Sequence, residues 1–88
     1  MQAHGELDEA AVLHRRAYEG REAALGPTHS DTLHAANSLA GLLHDRGEVD
    51  EAAALYRRAL AGCEATLGAA HPNTLATANN LARRAARP

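Results

Sequence analysis

The chain has 88 residues, a length that is enough for one small domain at most. Its formal net charge is −2. It holds 22 alanines and 12 leucines but only two aromatic residues, a composition that favours helices over strands. Nine arginines without any lysine, in near balance with the acidic residues, argue against a nucleic-acid partner. No apolar run approaches the ~20 residues of a membrane span. The single cysteine, Cys63, suits a reducing compartment, so we expect a cytoplasmic protein without a membrane partner.

The first two predicted helices cover residues 7–25 and 31–45. The first follows Gly5, a helix breaker, and opens with acidic residues that suit the positive end of a helix. It ends at Gly26, because glycine takes the left-handed conformation of a helix C-terminus at little cost. Before the second helix, Ser30 is a candidate N-cap.

The other two predicted helices cover residues 49–67 and 73–86. The third lies between Gly47 and Gly68, with apolar residues at steps of three and four that form one apolar face. Pro72 stands where the fourth helix begins, a position at which its missing N–H costs nothing. The fold class is therefore all-α.

The chain repeats itself with a period of 42 residues. Residues Gly5–Ala40 align with Gly47–Ala82, and 22 of the 36 aligned pairs are identical. Because glycine, histidine, asparagine and threonine coincide as well as alanine, the match indicates a duplication. We expect a single domain, 1–88, made of two 42-residue units, 5–46 and 47–88.

The duplicated unit resembles the tetratricopeptide repeat, and in particular the longer type found in kinesin light chains. The resemblance rests on LGAAHPNT at 67–74, on NNLA at 79–82, and on a pattern of small and large residues. That pattern comprises Leu39, Ala40, Leu43, Gly47, Ala52, Tyr56 and Ala59. The first copy departs from it at His14, Ser30 and Ser38. The resemblance implies a right-handed α-solenoid with helices in the order B-A-B-A and one complete A–B pair, at about 31–67.

The resemblance also implies a protein–protein interaction scaffold that binds an extended peptide or a partner helix on the concave face of its A helices. The groove positions of the family correspond here to His34, Asn37, Ser38, Gly41, His44, Asp45, Ala76, Asn79, Asn80 and Arg83. Asparagine amides can pair with a peptide backbone whatever its sequence. They can equally bond across helices and hold the repeats in register. Gly41, in mid-helix, suits the close approach of a ligand or of a neighbouring helix.

No residue pattern predicts catalysis, a metal or a cofactor, so we expect no enzyme. His34 and His44 lie about 15 Å apart along one helix, too far to share a zinc ion. Cys63 aligns with Arg21, which predicts a partly exposed thiol with a packing role. His14 is predicted to be a partly buried spacer. The equivalent loop residues His29 and His71 are expected to pack in the turns or to cap the following helices.

An alternative function is self-assembly, because the helix order leaves a half-repeat at each end. The last A helix of one molecule then docks beside the first B helix of another, which gives a ring or a fibre. A competing account makes the chain the end of a longer array, capped by Arg83, Arg84 and Arg87. The pairs Arg15-Arg16 and Arg57-Arg58 are expected on solvated outer faces, with weak ion pairs along the same helices.

Overall fold

The structure is a computed structural model that describes residues 4–85, and the side chains of residues 8–83. It contains four helices: α1 (His4–Leu25), α2 (Ser30–Asp45), α3 (Val49–Leu67) and α4 (Pro72–Ala85). The predicted all-α fold is therefore confirmed. Gly5 lies inside α1 and does not break it, because the ~1 kcal/mol that a glycine costs a helix is too little to end one. Arg84 and Arg87, proposed as capping residues, have side chains outside the described part.

Glycine ends the first and third helices and starts the turn after the second. Gly26, Gly47 and Gly68 have φ angles of 94°, 91° and 91°. Gly68 combines its positive φ with a ψ of 156°, an extended conformation that is essentially restricted to glycine. The chain therefore leaves α3 in an extended direction rather than through the left-handed helical turn that the sequence predicts.

Histidine caps the two helices that follow these turns. The Nδ1 atom of His29 accepts a hydrogen bond from the backbone N–H of Asp31 at 3.1 Å. The Nδ1 atom of His71 accepts one from Asn73 at the same distance. The capping role expected of both histidines is confirmed. Ser30 is not the N-cap, because the imidazole of His29 already accepts the hydrogen bond from the Asp31 N–H. Ser30 instead forms the first residue of α2.

The core is centred on α2, which packs against α1 on one side and α3 on the other, while α4 packs against α3. Leu39, Ala40 and Leu43 of α2 are completely buried. The molecule is a slab of 40 × 33 × 18 Å, so its thin dimension is about two helix diameters. None of the described helices is long and apolar enough to cross a membrane.

Two sequence predictions about individual side chains are wrong. Cys63 is buried rather than partly exposed, because α4 covers it and places Thr77 against its sulfur. His14 is exposed rather than partly buried. Tyr56, at the same repeat position, is buried because α3 packs on α2, whereas no described helix covers the corresponding side of α1.

The outer helices α1 and α3 are joined by two ion pairs. Arg15 of α1 contacts Glu51 of α3 at 2.7 Å, and Arg58 of α3 contacts Glu22 of α1 at 2.9 Å. The arginines therefore pair between helices and not along one helix as expected, because the two outer helices run side by side. These side chains are partly exposed, so each pair contributes at most about 1 kcal/mol. Their main effect is to set how α1 and α3 align.

Candidate functional site

A hollow of about 310 Å³ lies between α2 and α4, with the C-terminal half of α3 as its floor. Leu33, Cys63 and Leu67 supply apolar surface. The polar side chains around it are Ser30, His34, Asn37, Asn73, Thr77 and Asn80. An apolar floor with a few polar groups at the walls is the usual character of a binding site.

A second and more open hollow of about 460 Å³ continues along α2. Ser38, Gly41 and Asp45 line it from α2. Asn37 and Asn80 line both hollows, so the two are adjacent at these asparagines. The two hollows together are called the groove below.

The groove brings together seven of the ten residues that the family resemblance implies. These are His34, Asn37, Ser38, Gly41, Asp45, Ala76 and Asn80. The other three, His44, Asn79 and Arg83, line neither hollow. Asn79 and Arg83 are exposed. Asn79 is the repeat equivalent of Asn37, whose amide contacts the following A helix at Thr77, but no described helix follows α4. His44 is half-buried, with its Nδ1 atom 4.0 Å from an Asp45 carboxylate oxygen.

Asn37 joins the two helices that form the walls of the groove. Its Nδ2 atom donates a hydrogen bond to Oγ1 of Thr77 at 3.1 Å. The Thr77 hydroxyl in turn donates to the backbone carbonyl of Asn73 at 2.9 Å, and it lies 4.0 Å from Sγ of Cys63. This chain of contacts ties α2, α3 and α4 together beneath the groove. Asn37 thus holds the helices in register.

Three buried side-chain oxygens have no hydrogen-bond partner among the described residues: Oδ1 of Asn37 and Oγ1 of Thr32 and Thr74. Thr32 and Thr74 occupy the same repeat position and are almost completely buried. An unpaired buried polar atom costs about 1–3 kcal/mol. Asn37 is the one of the three that lines the groove, and its Oδ1 atom is buried beneath the groove surface.

Gly41 lies opposite Tyr56 of the neighbouring helix α3. A Cβ atom at this position would lie 3.4 Å from the Tyr56 hydroxyl oxygen, an ordinary van der Waals distance. The approach of the helix alone therefore does not require a glycine here. Gly41 also lines the groove, so its missing side chain widens the space next to Ser38.

Sequence reasoning missed the floor and one end of the groove. Thr77, Cys63 and Leu67 lie beneath it, and His14 and Tyr56 border its open part. One signal was available, because Thr77 stands where the first repeat has Ala35, a core position. A polar side chain at a core position usually has a hydrogen-bond partner, and here that partner is Asn37.

Apart from the Asp45 carboxylate, the polar groups around the groove are amides, hydroxyls and imidazoles, which exchange hydrogen bonds readily with a peptide backbone. Within residues 8–83, no three His, Cys, Asp or Glu side chains are grouped so that they could hold a metal ion. The groove therefore offers recognition by shape and by neutral hydrogen bonds.

The sequence profile of the tetratricopeptide repeat family matches residues 1–31 and 32–73. The chain belongs to the tetratricopeptide repeat family. Neither a curated protein nor a solved structure matches it. The second matched stretch begins in α2 and ends in the first turn of α4, so it contains the α2–α3 hairpin. Tetratricopeptide repeats are non-catalytic modules of protein–protein interaction, and the four helices of this chain form such a helical repeat.

Proposed function

We propose that this tetratricopeptide repeat chain binds an extended peptide in the groove between α2 and α4. The observation that supports the proposal is that two hollows lie next to each other along α2 and share Asn37 and Asn80 as lining residues. We also assign the chain to the kinesin light chain type, on the loop LGAAHPNT and the stretch NNLA. In this proposal the chain is a single domain, 1–88, without enzymatic activity, and it acts in the cytoplasm, where its one buried cysteine stays reduced.

The length of the groove sets the length of the peptide. From His34 to Asp45, α2 rises about 16 Å, at 1.5 Å per residue. An extended chain advances about 3.3 Å per residue, so the groove accommodates about five residues.

Asn80 is the residue best placed to contact such a peptide. It is half-buried, lines both hollows, and its amide forms no hydrogen bond with the described residues. The Nδ2 atom of Asn37, by contrast, already donates a hydrogen bond to Thr77. Asn80 therefore offers both a donor and an acceptor to a peptide, whereas the unpaired oxygen of Asn37 is buried.

The charge around the groove favours a neutral or basic peptide. No lysine or arginine is among the residues that line the two hollows, and Asp45 stands at the open end. A peptide that depends on its terminal carboxylate or on acidic side chains finds no cation here to pair with. A basic side chain next to Asp45 gains a modest attraction, because that carboxylate is exposed and screened by solvent.

The test compares Asn80→Ala with Asn79→Ala, two neighbours of which only the first lines the groove. Labelled peptides of about six residues, with neutral, basic and acidic sequences, are titrated by fluorescence anisotropy. We expect the neutral or basic peptides to bind, Asn80→Ala to weaken binding about tenfold, and Asn79→Ala to leave it unchanged. Equal losses in the two variants, or no binding by any peptide, contradict the proposal. Melting temperatures show whether either change acts through stability instead.

A second function, self-assembly into a longer superhelix, is favoured by apolar side chains at opposite ends of the slab. Val12 and Leu13 of α1 are 56% and 55% exposed, and Leu75 of α4 is 55% exposed. Leu13 and Leu75 have counterparts in the other repeat, Leu55 and Leu33, and both counterparts are buried. The same repeat positions are thus covered inside the molecule and uncovered at its ends.

A further inference from the structure

The two repeats show which residues of adjacent outer helices face each other. On α1 these are Arg15 and Glu22, seven residues apart and so on one face of the helix. They pair with Glu51 and Arg58 of α3, which are also seven residues apart. α1 therefore presents Arg15 and Glu22 to the outer helix that follows it, and α3 presents Glu51 and Arg58 to the outer helix that precedes it.

The 42-residue repeat gives each of these four charged residues an equivalent in the other copy of the repeat. The equivalents of Arg15 and Glu22 in the second copy of the repeat are Arg57 and Glu64, which lie about 120° around α3 from the residues that face α1. The equivalents of Glu51 and Arg58 are Glu9 and Arg16, which lie about 120° around α1 from the residues that face α3. All four are exposed, and none forms an ion pair with another described side chain.

The charges on α3 are opposite in sign to those on α1 that they would face in a stack of two molecules. If a second molecule places its α1 beside α3 as α3 stands beside α1, Arg57 faces Glu9 and Glu64 faces Arg16 of the second copy. Both contacts are attractive. The aligned pairs Arg15/Arg57 and Glu9/Glu51 keep their charge through the repeat, whereas other positions, such as Arg21/Cys63, do not.

One close apolar contact inside the molecule also has repeat equivalents on the outer faces of α1 and α4. Inside the molecule, Leu33 of α2 packs directly on Gly62 of α3. The repeat equivalents are Leu75 of α4, which is 55% exposed, and Gly20 of α1, where an added Cβ atom would have no neighbour within 4 Å. In the same stacked arrangement, Leu75 of one molecule meets Gly20 of the next. Within one molecule, the Leu75 side chain is thus exposed and the space next to Gly20 is open.

We propose that the partner of the α3–α4 end is the α1 face of a second copy of this chain, held in the register Arg57–Glu9, Glu64–Arg16 and Leu75–Gly20. This inference rests on the second function above and specifies its interface. One contact between the stacked molecules differs from its equivalent inside the molecule. Where Gly41 lies beside Tyr56 within the chain, the stack places Arg83 of one molecule beside His14 of the next. Arg83 is exposed, and its long side chain can turn into solvent.

The contact is head-to-tail, so each added molecule exposes the same two faces again. Such a heterologous contact continues as a linear stack unless its rotation closes a ring. Sedimentation velocity of the full chain across concentrations is expected to show a mean mass that rises with concentration. Added salt weakens the association, because two of the three contacts are exposed ion pairs.

Two charge-swapped variants test the register, and both keep the net charge of −2. One is Arg57→Glu with Glu64→Arg on the α3 face, and the other is Glu9→Arg with Arg16→Glu on the α1 face. Each variant alone sets like charges against each other and is expected to associate about 10- to 100-fold more weakly than the original chain. An equimolar mixture restores association, because every reversed face then finds a reversed partner.

A third variant, Gly20→Leu, tests the apolar contact without threatening the fold. The space around Gly20 is open, and leucine is a better helix former than glycine. We expect this variant to melt higher as a monomer and to lose association. Circular dichroism at low concentration checks that every variant is folded.

The outcomes separate the register from the function on which it depends. A chain that associates but is indifferent to both swaps and to Gly20→Leu overturns the register and leaves self-assembly standing. A chain that stays monomeric at every concentration overturns both. Association of the mixture, with neither variant associating alone, supports both.

Discussion

The Cδ2 atom of Leu33 lies 2.7 Å from the point where a Cβ atom on Gly62 would stand. Helices α2 and α3 approach closely here because Gly62 has no side chain. At the same position of the other repeat, Gly20 has nothing within 4 Å of the corresponding point. Two glycines that the alignment treats as equivalent thus have opposite surroundings.

This difference predicts opposite effects of alanine at the two positions. Gly20→Ala is expected to raise the unfolding free energy by about 0.5–1 kcal/mol, because alanine favours the helix and meets no neighbour. Gly62→Ala gains the same propensity but must displace the buried Leu33, which costs about 1–3 kcal/mol. We expect Gly62→Ala to be the less stable variant of the two.

Thermal unfolding at low protein concentration measures the difference. One kcal/mol shifts the melting temperature of a domain of this size by about 4–8 °C. The original chain is expected to melt between the two variants or close to Gly62→Ala. A Gly62→Ala variant that melts as high as Gly20→Ala would show that Leu33 moves away at no cost.

Much of the fold follows from signals near each helix end. Gly26 and Gly68 directly follow the last residues of α1 and α3, and Pro72 is the first residue of α4, so the predicted ends of α1 and α3 and the predicted starts of α2 and α4 agree with the structure to within one residue. The start of α1 was the least accurate boundary, since Gly5 is tolerated within the helix. Local residue types therefore carry most of this architecture.

The groove was less predictable, because it depends on which neighbour covers each position. The repeat aligns Cys63 with Arg21 and Tyr56 with His14, yet one member of each pair is buried and the other exposed. A helix in the middle of a stack has neighbours on both sides, and a helix at its edge does not. Burial at equivalent positions therefore differs, and the sequence pattern alone does not contain that difference.

The hydrogen bond from Asn37 to Thr77 provides a second prediction. Thr77→Val keeps the shape of the side chain but removes the acceptor of the Asn37 amide, and we expect it to cost about 1–2 kcal/mol of unfolding free energy. Because the two residues share one bond, Asn37→Ala should add less in the Thr77→Val background than in the original chain. Urea unfolding of the four proteins gives a coupling energy of about 0.5 kcal/mol or more. Strict additivity would mean that the bond contributes nothing.

The capping histidines provide a third prediction. His71→Ala removes the Nδ1 acceptor for the Asn73 N–H and should lower the unfolding free energy by about 0.5–2 kcal/mol. His71→Asn is the matched control, because asparagine is among the best N-cap residues and restores an acceptor there. Chemical denaturation of both variants is expected to place His71→Asn close to the original chain. If both variants lose equally, the imidazole stabilises the loop by packing rather than by capping.

Tyr18 provides a prediction about pH. Burial raises the pKa of its hydroxyl above the usual 10.0, an effect that the nearby guanidinium of Arg58 opposes and that the carboxylates of Glu22 and Glu19 reinforce. The guanidinium carbon of Arg58 lies 5.9 Å from the centre of the Tyr18 ring. The folded protein therefore keeps this proton at a pH where the unfolded chain has lost it.

The sign of the effect follows from that difference in proton binding. Above pH 10.0 the unfolded state binds fewer protons at Tyr18 than the folded state does, so the unfolding free energy falls as the pH rises. The stabilisation is fully present below pH 10.0 and is lost as the pH passes the raised pKa of the folded protein. Tyr18→Phe has no such proton and should lose less stability over the same range. Urea unfolding of the two proteins at a series of alkaline pH values tests this, and stability curves that stay parallel above pH 10.0 would mean that Tyr18 titrates alike in both states.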